Sequence, residues 1–316
     1  MESKALLDAA SSDGIVYGQR AHLVVSIACL PFLVMFATMD KFRLDWYWES
    51  MEQNQEVAEN SKYLGRMFAN ILLSAMVTEF AVSRSNDPVL LRRSSLVNVG
   101  VWALLILESI YMLSFNYGGL GNYGSILMST VWCCVFGYGY TKLSDAKDPQ
   151  YYGAIDEDGE GLKFAKRAVA VVAIVMTPFV LLFLFAKDFT MTYYFPGLSQ
   201  LTEEGSRIAN FNCLWCGLCM AWTLANYACF SKSNDASAIK TLAGLNTISW
   251  AYCTCFLLWL CYTGAAGKFM WSGVIMDFIL TPVWCYTYFK TNGAAGNTTV
   301  SKPGGANGGR EIMSHA

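Results

Sequence analysis

Two acids stand inside long apolar runs, Glu108 within Val89–Leu113 and Asp277 within Phe269–Phe289. A carboxyl group in hydrocarbon must stay neutral, pair with a cation or reach water, and by default it marks a functional position. Glu108 lies seven residues before Phe115, and Asp277 eight residues after Phe269. At the rise of an α-helix both sit roughly 10–12 Å below the outer edge of a bilayer. The expectation is that they line an outward-facing polar cavity and bind a proton or cation. Glu79, near the end of its run, reads as able to reach water.

Two matched pairs accompany the acids. Asn98 and Asn246 each fall about eleven positions after a helix cap, roughly 16 Å along the axis and near mid-membrane. Gluing helices together is the simpler reading of such amides, and lining a central pathway is the other. Pro31 and Pro178 each fall about ten residues into an apolar run, where proline removes a hydrogen bond and kinks a helix. Matched interruptions point to a transport site; a static kink filled by neighbouring helices is the alternative.

Other polar features read more simply. Asp45, Glu49, Glu52, Glu56 and Glu59 would share one helical face, as a solvated stripe or a cation-gathering vestibule. Cys213, Cys216 and Cys219 are spaced like a metal cluster, but on a helix they fan around the surface and read as packing. "DEDGEG" at 156–161 lacks the alternating ligands and closing Glu of a calcium loop. His22 and His315 are the only histidines, neither deep in an apolar run, which argues against bis-histidine haem, di-iron and Ser–His chemistry. No late run carries a central lysine for a retinal Schiff base, and no P-loop or dinucleotide fingerprint is present. No cofactor, metal or catalytic motif is expected, so the chain reads as not an enzyme. Nothing suggests nucleic-acid binding at a net charge of −2.

The elements that must position these residues are membrane helices. The 316-residue chain is 54% hydrophobic and 15% charged, with mean hydropathy +0.34. Its charged fraction falls well below the roughly 25% of soluble domains. Eight apolar blocks approach bilayer-spanning length: Ala21–Met39, Met67–Val82, Val89–Leu113, Ile126–Tyr140, Ala168–Ala186, Ile208–Phe230, Ile239–Thr263 and Phe269–Phe289. The expected fold is all-α and polytopic. The first helix must serve as its own insertion signal, since the opening residues form neither a signal nor a transit peptide.

The sequence also repeats. "SRSND" at 83–87 recurs as "SKSND" at 231–235, and an offset of 148 aligns residues 83–143 with 231–291, thirteen of 61 pairs being identical. An offset of 147 extends the match upstream, pairing Arg20 with Arg167 and Pro31-Phe32 with Pro178-Phe179. Two parallel tandem four-helix repeats are implied, related by an axis along the membrane normal. The divisions are an N-terminal tail 1–19, repeat 20–143, acidic linker 144–164, repeat 165–291 and a Gly-rich C-terminal tail 292–316. With eight spans the termini share one side, which carries fifteen Lys and Arg against seven on the other. Both termini are therefore expected in the cytosol.

Together these readings predict a small transporter or channel for a solute or ion, proton- or cation-coupled. The alternative is a non-transporting scaffold, assembly subunit or receptor. The expected partners are the bilayer, a small solute or ion, and a second copy or another membrane protein.

Overall fold

Long runs of Leu, Ala, Val, Met and aromatic residues leave the backbone one way to satisfy itself in an apolar setting, which is the helix. A computed structural model describes residues 2–38, 40–47, 54–114, 119–143, 159–196 and 203–295. Among these the helices are α1 (Glu2–Ala28), α2 (Leu30–Thr38), α3 (Asp40–Tyr47), α4 (Asn54–Ser83), α5 (Pro88–Ser114) and α6 (Leu120–Lys142). They continue with α7 (Glu160–Phe185), α8 (Lys187–Tyr194), α9 (Glu203–Phe230), α10 (Ala236–Tyr262) and α11 (Met270–Ala295). Helix α1 begins at Glu2, so residues 2–19, expected as a tail, are helical and continuous with the first apolar block.

Six stretches among the described residues are long and apolar enough to cross a bilayer: Asp13–Thr38, Lys62–Ser83, Pro88–Ser114, Glu160–Phe185, Ala209–Phe230 and Ala236–Tyr262. The described residues are helical apart from short turns, and these stretches mark a multi-pass membrane protein. Two of the eight expected spans, α6 and α11, are not in this set. Both are rich in Gly, Tyr, Ser and Trp, which lower hydropathy without shortening the helix. In the α4 and α9 spans 67% of residues are buried, against 28–39% in the other four. These two helices therefore form the inner pair, and the others surround them.

The repeated pentapeptides start α5 and α10. Asp87 Oδ1 accepts from the backbone N–H groups of Val89 (2.9 Å) and Leu90 (3.3 Å), and Asp235 Oδ1 accepts from Ala238 N (3.0 Å). This is N-capping by a short acid. The second carboxylate oxygens cross between the turns. Ser85 Oγ donates to Asp235 Oδ2 at 2.9 Å, and Ser233 Oγ donates to Asp87 Oδ2 at 2.7 Å. Each acid thus caps its own helix and ties down the other turn.

Further contacts recur at the same offsets. Gly119 N donates to Tyr47 O (2.8 Å) and Gly267 N to Tyr194 O (2.9 Å). Gln19 Nε2 reaches Asn86 Oδ1 (3.1 Å), and Lys166 Nζ reaches Asn234 Oδ1 (2.8 Å). Lys142 and Lys290 each lie 5.4 Å from the ring of the tyrosine four residues earlier, Tyr138 and Tyr286. A Cβ on Gly14 would stand 2.9 Å from the Lys142 carbonyl oxygen, and one on Gly161 2.5 Å from that of Lys290. Glycine is what lets α1 approach the end of α6, and α7 the end of α11.

The apolar core forms two clusters. One holds Phe36, Tyr47, Phe68, Trp102, Trp215 and Trp222, and the other holds Ala81, Leu91, Leu162, Phe230 and Trp284. Polar side chains on α1, α4, α5 and α9 are buried as well, among them His22, Glu79, Ser94, Ser95, Asn98 and Asn226.

Candidate functional site

Glu108 and Asp277 lie in separate cavities, one on each side of the α4–α9 pair. The first, about 80 Å³, is lined by residues of α2–α6 and α9 and by Cys29 at the break before α2. Glu108 is 7% exposed there, and neither carboxylate oxygen accepts a hydrogen bond from any described residue. The Trp215 indole stands beside it, and Ser129 Oγ in the same wall is also without a hydrogen-bond partner. The second cavity, about 90 Å³, is enclosed by residues of α4 and α7–α11. Asp277 is 5% exposed, with Cys253 beside it and Oδ2 accepting no hydrogen bond from any described residue. Both walls are mainly aromatic and aliphatic rather than polar.

The walls correspond position by position. Phe32, Phe36 and Tyr47 of the first match Phe179, Phe183 and Tyr194 of the second at an offset of 147. Trp102 and Met128 match Trp250 and Met276 at 148. The acids do not correspond. Asp277 stands where the first cavity has Ser129, while Glu108 aligns with Phe256. One cavity therefore takes its acid from α5 and the other from α11.

The paired asparagines sit elsewhere, fully buried and outside both cavity walls. Asn98 Nδ2 donates to Glu79 Oε1 at 3.0 Å and to the Ser94 carbonyl at 3.0 Å. Asn246 lies beside the Tyr227 phenol, as do Thr78 and Trp250, and neither Tyr227 nor Asn246 makes a side-chain hydrogen bond among the described residues.

Glu79, which the sequence suggests could reach water, is fully buried. Its position near a helix end is overridden by α9, which covers that face of α4. Oε1 accepts from Trp222 Nε1 (2.8 Å), Asn226 Nδ2 (2.8 Å) and Asn98, and Oε2 lies 2.5 Å from His22 Nδ1. Ser94 Oγ donates to Asn226 Oδ1, and Ser95 Oγ lies 3.5 Å from His22 Nε2. His22, expected near the boundary, is likewise fully buried. Nothing in the sequence singled out His22, Trp222 or Asn226. The available signal was the offset itself, since Thr78-Glu79 aligns with Asn226-Tyr227 and so places polar residues at both aligned positions.

Pro31 and Pro178 face outward, both exposed, while the next residues, Phe32 and Phe179, line the cavities. Pro31 follows the break between α1 and α2, and Pro178 lies inside an unbroken α7. Cys213, Cys216 and Cys219 are buried and free, and no cluster able to hold a metal occurs among the described residues. Of the acidic stripe, Asp45 is exposed on α3, whereas Glu49 and Glu52 lie outside the described residues, as does 156–158 of "DEDGEG". Buried Arg43 on α3 lies 5.2 Å from the Phe36 ring centroid, in space left by Gly65. Burial pushes the Tyr47 phenol, at the end of α3, up to about 12.

The chain matches no protein-family model, no curated protein and no solved structure.

Proposed function

We propose that the chain is an eight-span transporter or channel for a small solute or ion, made of two parallel four-helix copies with Glu108 and Asp277 as proton- or cation-binding groups. The observation that carries this reading is that each cavity holds a buried carboxylate with an oxygen that accepts no hydrogen bond from any described residue. A structural acid would be satisfied by its neighbours, as Glu79 is. These two await a proton, a cation or a solute donor.

The duplication is supported by the crossed Ser–Asp bonds, the matched Gly–Tyr bonds and the corresponding cavity walls. Eight spans are supported by the outer faces of α6 and α11. Leu120, Tyr123, Leu127, Val131 and Tyr138 on the first, and Trp271, Ile275, Phe278, Tyr286 and Phe289 on the second, are exposed at helical spacing. Such stripes suit lipid. Both termini then lie in the cytosol by the charge count, and binding and movement rather than catalysis are the activity.

The well-bonded layer between α4 and α9 favours a second reading, a receptor or scaffold whose cavities bind without passage. Reconstitution separates the two. Liposomes containing the protein are expected to dissipate a proton or cation gradient faster than protein-free liposomes, and equal rates would leave only the receptor or scaffold.

A further inference from the structure

The Glu108 cavity is the more specific of the two. Seven ring residues line it, against five around Asp277, and both oxygens of its acid are free rather than one. The rings interlock, with centroids 4.3 Å apart for Phe36–Phe68, 4.9 Å for Tyr47–Trp215, 5.5 Å for Phe36–Trp215 and 5.7 Å for Trp102–Trp222. One ring already carries a cation, since the Arg43 guanidinium lies over Phe36.

The unsatisfied atoms decide the polarity of what fits. Glu108 offers two acceptor oxygens and Ser129 a hydroxyl, against two indole N–H groups on the same wall, that of Trp102 and that of Trp215 beside Glu108. A complementary ligand must bring N–H donors and positive charge at one end. At the other it must present carbon to aromatic faces, which attract cations through the ring quadrupole. Size narrows the class. A cavity of about 80 Å³ is roughly half the 150 Å³ that accommodates a benzene ring, and so takes a ligand of about three heavy atoms.

We infer that the Glu108 cavity is a recognition site for a small organic ammonium ion, its N–H groups on Glu108 and Ser129 and its methyl groups against the aromatic wall. This deepens the transport reading by naming the solute class, and it rests on that reading only for the passage of the bound ion across the bilayer. The ligand supplies the charge and donors that a buried, unpartnered carboxylate lacks.

The test is a titration of the full chain in detergent micelles with methylammonium chloride, read by intrinsic tryptophan fluorescence. A saturable change is expected, with none from sodium chloride, methanol or the bulkier tetramethylammonium. Glu108→Gln should weaken binding about tenfold or more, the loss of one charge-assisted contact, and Ser129→Ala should weaken it less. Gly100→Ala, at a position with nothing within 4 Å of the added carbon, should bind as wild type. No saturable response from folded wild-type protein overturns the inference, as does an equal response to methanol or sodium. Unchanged affinity in a Glu108→Gln protein with wild-type melting also overturns it. Should Glu108→Gln not fold, unchanged affinity in Ser129→Ala serves the same purpose. Proton flux in liposomes without methylammonium binding overturns this site and leaves transport standing, whereas binding without any flux does the reverse.

Discussion

His22 Nδ1 lies 2.5 Å from Glu79 Oε2, and both side chains are fully buried. Around this pair, Asn98 of α5 and Trp222 and Asn226 of α9 direct three N–H groups at the other carboxylate oxygen. Four helices thus meet on one carboxylate. Removing one partner of a buried pair costs about 3–5 kcal/mol, because the rest are left without a partner in a low dielectric. Glu79→Ala is therefore expected to lower the thermal unfolding midpoint in micelles more than Glu79→Gln, which keeps an acceptor for the three donors. An alanine variant that melts with wild type would contradict this structural role.

The crossed turns make a paired prediction. Ser85 and Ser233 each donate to the other turn's aspartate and accept from the backbone N–H of their own, Asp87 and Asp235. A hydrogen bond to a charged group is worth about 1.5–3 kcal/mol, and partial exposure places these toward the lower end. Ser85→Ala and Ser233→Ala should each lower stability by about 1.5 kcal/mol, measured by unfolding in mixed micelles. A large loss from one and none from the other would contradict the equivalence of the two turns that the proposed duplication requires.

Glycine substitutions should differ in sign. Alanine in place of an unhindered helical glycine gains up to about 1 kcal/mol, and Gly100→Ala should show this because nothing lies within 4 Å of the new carbon. At Gly161 the carbon meets a backbone oxygen at 2.5 Å and at Gly14 at 2.9 Å. The expected order of melting temperatures is Gly100→Ala, wild type, Gly14→Ala, then Gly161→Ala.

Tyr47 gives a pH dependence. Its phenol is pushed up to about 12 in the folded protein by burial, from an ordinary value near 10. The folded state therefore holds the proton more tightly, and stability present below pH 10 is lost as pH rises through 12. Wild type should lose stability more steeply than Tyr47→Phe across that window in urea titrations. Parallel curves would mean that the phenol reaches water.

The helical architecture was legible because apolar blocks and short turns leave few alternatives. The crossed Ser–Asp bonds were half legible, since the caps follow from Asp87-Pro88 and Asp235, but a bond between two turns 148 residues apart has no local signature. Glu108 and Asp277 stood out as acids in hydrocarbon, and both are buried in cavity walls. Their separation was not legible, because depth along a helix says nothing about which side of a neighbour a residue faces. Glu79 was misread for the same reason. A carboxylate near a helix end reaches water only if no helix covers it, and α9 does.

The central claim is that the two cavity acids carry the activity, and gradient-driven flux through reconstituted liposomes tests it most directly. Glu108→Gln and Asp277→Asn replace the two cavity carboxylates by amides of the same shape, so wild-type melting is expected together with a large loss of flux and a changed pH dependence. Wild-type flux with unchanged pH dependence in both variants would contradict the account.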